Sequence, residues 1–149
     1  MTKRTWLPCA LIAAGLLVPA MPADAADADG GEALAAACIA RMARLANHRI
    51  AANRKATDRC VATIRKLLAA GQKARARKVA AACIKRIDRA SAATAAAIRK
   101  DAHRCAAVLR RMGEPGLARR VLGACRRQVG RVEASRRASV ARIRAAVGG

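Results

Sequence analysis

Residues 38–60 read CIARMARLANHRIAANRKATDRC, and residues 83–105 read CIKRIDRASAATAAAIRKDAHRC. Each block opens and closes on cysteine, the two blocks are equally long, and 22 residues separate Cys60 from Cys83. The outer pair, Cys38 and Cys105, and the inner pair, Cys60 and Cys83, are therefore symmetric about one point between Gly71 and Gln72. Gly71 is also the only Gly or Pro between Gly31 and Gly113. On an α-helix a step of 22 residues turns through about 2200°, which leaves only about 40° after whole turns. Both cysteines of a block thus share one helix face. Two antiparallel helices hinged at Gly71 bring Cys38 opposite Cys105 and Cys60 opposite Cys83.

The flanking sequence fits long helices. From Glu32 to Ala70 there is no Pro or Gly, and larger apolar residues fall at Leu34, Cys38, Met42 and Leu45, then at Cys60, Ile64 and Leu67. Steps of three and four mark one helical face. Asp29 followed by Glu32 has the spacing of an N-cap with an acid at N3. Between the apolar runs, Asn47-His48-Arg49 and Asn53-Arg54-Lys55 form a polar waist. A second stripe runs through Val79, Cys83, Ile87, Ile98, Cys105 and Leu109, and Gly113-Glu114-Pro115 ends it with a Gly past the helix and a Pro opening the next. A third follows through Leu122, Cys125, Val129, Val132, Val140 and Ile143 in heptad-like, coiled-coil steps. The helices are expected at about 32–70, 73–112 and 115–147.

These segments are copies of one unit. Shifting residues 36–60 by 45 onto 81–105 gives 12 identities in 25 positions, among them Ala36-Ala37-Cys38-Ile39 with Ala81-Ala82-Cys83-Ile84. A shift of 42 matches Ala76-Arg77-Lys78-Val79 to Ala118-Arg119-Arg120-Val121, ahead of Cys83 and Cys125. A one-helix repeat with short turns predicts an all-α, up-down-up bundle of three antiparallel helices. In outline this resembles spectrin-type bundles. The cysteine pattern resembles disulfide-stapled hairpins of the twin-cysteine type, although the spacing here is more than twice as long.

The N-terminus reads as a secretory signal peptide over residues 1–25. Lys3 and Arg4 supply a basic start, Trp6 to Ala20 an apolar run, and Ala23-Asp24-Ala25 a small-x-small cleavage site. The apolar run is too short to span a bilayer comfortably, and no integral membrane protein is expected. The mature chain then covers residues 26–149 as one domain, periplasmic or secreted. It keeps 29 basic and 8 acidic residues, a net charge of +21, and no aromatic residue. Leu, Ile and Val number 22 from Ala26 onward, so the apolar core is thin for such a charge. Disulfides compensate, since crosslinking a loop of about 20 residues lowers the unfolded-state entropy by roughly 3 kcal/mol.

In an oxidising compartment cysteines pair. Bridging needs Cα atoms within about 7 Å, and alanines beside each cysteine permit that approach: Ala36-Ala37, Ala80-Ala81-Ala82, Ala106-Ala107 and Ala124. The expected bridges are Cys38–Cys105 and Cys60–Cys83. Cys125, at the level of Cys38 and Cys105, stays free or joins two chains into a homodimer.

Charge is the main functional signal. A skewed base composition would enrich Ala and Arg, but it does not account for the scarcity of Asp and Glu. Residues 115–149 carry nine arginines and one acid, Glu133. Helical angles place Arg119, Arg120, Arg126, Arg127, Arg131 and Arg137 away from Leu122, Val129 and Val132. So dense a face attracts polyanions by releasing counterions: lipopolysaccharide, anionic lipid, acidic polysaccharide or extracellular nucleic acid. Without aromatics, base stacking is not available. Gly116, Gly123 and Gly130 recur every seven residues along this face, the mark of a second close-packing surface or of a fraying third helix, and fraying is the favoured reading. A holdase-type chaperone is the alternative. A second alternative is metal sequestration by Cys38, Cys105 and Cys125 as soft thiolates, although no Cys-x-x-Cys pair is present. His48 and His103 read as surface residues, and no metal or cofactor is expected. Ser91, Ser135 and Ser139 have no evident base, and there is no acid pair, triad or phosphate loop, so catalysis is not expected.

Overall fold

Both turns of the chain are built on a glycine in the left-handed region, Gly71 at φ 71° and Gly113 at φ 80°. At the first, the amides of Gly71 and Gln72 donate to the carbonyls of Leu68 and Leu67; at the second, Gly113 and Glu114 donate to Arg110 and Leu109. These are paired Schellman bonds, which satisfy the last carbonyls of a helix and reverse the chain. The computed structural model describes residues 28–148, and it contains three helices: α1 (Ala28–Ala69), α2 (Lys73–Arg111) and α3 (Pro115–Gly148). Each packs against both others. The all-α, up-down-up bundle expected from the repeat is the observed architecture. The signal-peptide reading lies outside the described residues.

Cys38 and Cys105 are bonded, as are Cys60 and Cys83, with Cα separations of 6.5 and 6.4 Å. Cys125 is free and buried. The alanines that admit the helices so close differ in part from the expected ones. Ala36, Ala37, Ala81, Ala82 and Ala107 point to solvent. Of the expected ones Ala80, Ala106 and Ala124 are buried, and Ala35 and Ala102, each about one turn from a cysteine, join them at the interface.

Two further expectations change. Asp29 lies within α1, which already includes Ala28, so it is not the N-cap. The early start is useful: Gly31 is buried against the α2–α3 turn, where a Cβ would stand 3.2 Å from both Glu114 Cγ and Leu117 Cδ1. The third helix is continuous through Gly116, Gly123 and Gly130 rather than broken at them.

The core has two apolar halves. One holds Met42, Ile98, Leu109, Val121 and Val132 around the Cys38–Cys105 bridge and Cys125. The other holds Ile64, Ile87 and Ile143 around Cys60–Cys83. Between them the stripe turns polar, with Asn53, Thr57, Ser91 and Ser139 all buried. Asn53 Nδ2 donates to Ser91 Oγ at 3.1 Å and to Ser135 Oγ at 3.5 Å, and Thr57 Oγ1 donates to the Asn53 carbonyl at 2.7 Å. The waist read from the sequence is thus partly a polar core layer that joins all three helices.

Candidate polyanion-binding face

Acidic side chains clip the bundle together. Asp101 of α2 takes Arg41 of α1 at 2.9 Å, Glu32 of α1 takes Arg120 of α3 at 2.9 Å, and Asp58 of α1 takes Arg142 of α3 at 3.0 Å. Asp88 of α2 takes Arg136 of α3 at 2.8 Å, and Glu133 takes the same guanidinium at 2.8 Å. The hydrogen bonds to Asp88 and Glu133 hold the Arg136 guanidinium above its usual pKa. Every helix pair is bridged in this way. Each such half-exposed pair contributes at most about 1 kcal/mol, but the consequence for the surface is larger. Of the 29 lysines and arginines in residues 28–148, only Arg41, Arg120, Arg136 and Arg142 form an ion pair with a described side chain.

The six arginines singled out on α3 are all exposed. At 100° per residue they fall into two rows: Arg119, Arg126 and Arg137 within about 20° of one line, and Arg120, Arg127 and Arg131 roughly 80–120° round from it. Gly116, Gly123 and Gly130 run between the rows. Over Gly123 the arginines converge, with Arg127 Nη1 and Arg126 Nη2 3.7 and 4.0 Å from the place a Cβ would occupy. Two of the six are held by α1 or their own helix: Arg120 donates to Glu32, and Arg131 donates to Asn47 Oδ1 at 2.7 Å and Gln128 Oε1 at 2.8 Å. Arg119, Arg126, Arg127 and Arg137 make no hydrogen bond or ion pair to a described side chain. They present about 27 Å of helix as unneutralised cation.

Positive charge also surrounds the waist, which the sequence reading did not single out. A groove of about 440 Å³ between α1 and α2 is lined by Arg49, Lys55, Arg59 and Arg86. A second, of about 550 Å³ between α1 and α3, is lined by Arg54, Arg131 and Arg142. The runs Ala134-Ser135 and Ala138-Ser139 were the available signal, because small side chains leave space between helices.

The thiolate reading loses its ligands: Cys38 and Cys105 are spent in a disulfide, and the described residues hold no group of three metal-ligating side chains. Cys125 is packed in the apolar half-core, where burial raises its thiol pKa against the opposing pull of Arg99 and Arg126. His48 and His103 are exposed. No helix among the described residues is long and apolar enough to cross a membrane. No protein-family model, curated protein or solved structure matches the chain.

Proposed function

We propose that the protein is a secreted or periplasmic, non-enzymatic binder of anionic polymers or surfaces, and that its stapled bundle serves to display arginine. The observation that carries this reading is the division of charge. Four of the paired acids join one helix to another, while the outer face of α3 keeps Arg119, Arg126, Arg127 and Arg137 without an ion-pair partner among the described side chains. A stiff row of guanidinia gains affinity for a polyanion by displacing its counterions, and the glycines between the rows let a linear chain lie close to the helix. Lipopolysaccharide, anionic lipid, acidic polysaccharide and extracellular nucleic acid all offer such charge. The two disulfides support an oxidising compartment, in keeping with the signal-peptide reading of residues 1–25.

The holdase alternative draws no support from the surface. Capturing unfolded clients needs exposed apolar area, and Met112 is the one large apolar side chain exposed among the described residues. The deciding experiment is retention on immobilised heparin across a salt gradient. Retention at 50 mM NaCl that disappears by about 300 mM upholds the reading; no retention at 50 mM refutes it.

A further inference from the structure

The groove between α1 and α3 differs from the open arginine face because its floor contains a hydroxyl donor with no partner among the described residues. Ser139 is only 5 % exposed, and its hydroxyl makes no hydrogen bond to a described residue. No sealed side-chain oxygen or nitrogen among the described residues lacks a partner. The Ser139 hydroxyl must therefore open onto the space it lines, which is this groove.

The rest of the lining has the same character. Ser135 lies one turn away, and its oxygen already accepts from Asn53, leaving its own proton to donate. Three arginines line the same groove as the hydroxyls. Arg131 is oriented by Asn47 and Gln128, and Arg142 by Asp58, so their remaining N–H groups are held in place. Arg54 has no partner among the described residues. No carboxylate lines the groove, and Ile50 forms part of its wall. A site with three forked cations and two hydroxyl donors offers more donors than the two oxygens of a carboxylate accept. The three terminal oxygens and double charge of a phosphomonoester match it better.

We propose that this groove is a phosphate-binding site, taking a phosphomonoester or diphosphate group through Arg54, Arg131, Arg142, Ser135 and Ser139. The site goes beyond the polyanion reading, which needs only exposed charge and no defined pocket.

Calorimetric titration with inorganic pyrophosphate at 100 mM NaCl tests it. The expected result is saturable one-to-one binding, weakened about fivefold by Ser139→Ala and about tenfold by Arg54→Gln. The Arg126→Gln/Arg127→Gln variant should bind pyrophosphate as the parent does, although it leaves immobilised heparin at lower salt. Absence of saturable binding overturns the proposal, as does equal weakening in the Arg126/Arg127 variant. Arg54 is an exposed side chain, so its substitution keeps the test valid should Ser139→Ala disturb packing. Vesicles of phosphatidylcholine with phosphatidic acid separate the sources. Capture that depends on Ser139 places the phosphate on a lipid, and pyrophosphate binding without vesicle capture places it on a soluble ligand; either upholds the site. Because heparin retention is read on other residues, failure of the polyanion reading and failure of the groove are distinguishable.

Discussion

Asn53 Nδ2 on α1 donates to Ser91 Oγ on α2 at 3.1 Å, with Asn53 1 % and Ser91 0 % exposed. This contact lies between the two disulfide-bearing half-cores. A buried amide with its partners in place fixes the axial register of helices whose apolar contacts are mostly alanine, a role attested for single polar residues in coiled coils.

Asn53→Ala should therefore cost more than its small volume implies. It leaves the Ser91 and Ser135 hydroxyls short of a partner, at about 2 kcal/mol. For a chain of this size that is a fall in Tm of roughly 8 °C, read by far-UV circular dichroism with both disulfides intact. A change below about 2 °C would remove the layer from the stability argument.

The two staples should not be equal. The Cys38–Cys105 loop spans 67 positions and the Cys60–Cys83 loop spans 23. With the inner bridge in place, the outer loop still constrains roughly 44 residues, so losing it costs about 4 kcal/mol against about 3 kcal/mol for the inner one. Paired Cys→Ala variants compared by urea unfolding should show Cys38→Ala/Cys105→Ala as the weaker protein. Full reduction should unfold the chain at neutral pH. A reduced protein that keeps its helicity would mean that the thin core suffices alone.

Cys125 links stability to pH at the alkaline end. Its thiol pKa in the fold is raised above 9.0 by burial. The unfolded chain therefore releases this proton first, and the contribution is complete below pH 9 and lost as pH climbs through the folded value. Unfolding free energy measured from pH 7 to 11 should fall more steeply for the parent than for Cys125→Ala. The same burial predicts slow labelling by a thiol reagent at pH 8 until denaturant is added. It also predicts that any Cys125–Cys125 dimer needs α3 to open first. Rapid labelling of the folded protein would refute both.

The helices, their turns and both bridges were legible in the sequence because each leaves a periodic or symmetric trace. Gly71 and Gly113 punctuate uninterrupted helix formers, and 38, 60, 83 and 105 obey one symmetry. Asn53 was not legible as core, since it sits in the run Asn53-Arg54-Lys55, which looks solvated. Continuing the stripe from Met42 through Ala46 and Arg49 reaches Asn53, Thr57 and Cys60, so the period was present while the polarity concealed it. The partners of the acids were hidden for another reason. Whether Asp88 meets Arg136 depends on how each helix is rotated about its axis, which one strand of letters does not specify. The grooves follow from the same rotations.

Glycines on α3 and α1 should respond in opposite directions to alanine. Around Gly116 and Gly130 nothing lies within 4 Å of an added Cβ, so each Gly→Ala change should add about 1 kcal/mol through helix propensity alone. At Gly31 the same methyl meets Glu114 and Leu117 at 3.2 Å, and forcing the α2–α3 turn outward should cost more than the propensity gain. Urea midpoints of the three variants decide it. A destabilising Gly130→Ala would show that the glycine stripe is packed against something in the folded protein.

The arginine face makes the most quantitative demand. Replacing Arg119, Arg126, Arg127 and Arg137 by Gln removes four cations that pair with no described side chain, so Tm should stay within about 2 °C of the parent. If those four neutralise phosphates, the slope of log K against log salt for a duplex DNA probe should become shallower by roughly 3.6, at about 0.9 per phosphate contact. Replacing four lysines and arginines elsewhere, such as Lys66, Lys73, Arg75 and Arg77 around the α1–α2 turn, gives the control at equal net charge. A control that flattens the slope as much would show that binding follows total charge alone, and the rows flanking Gly123 would have no special part in it.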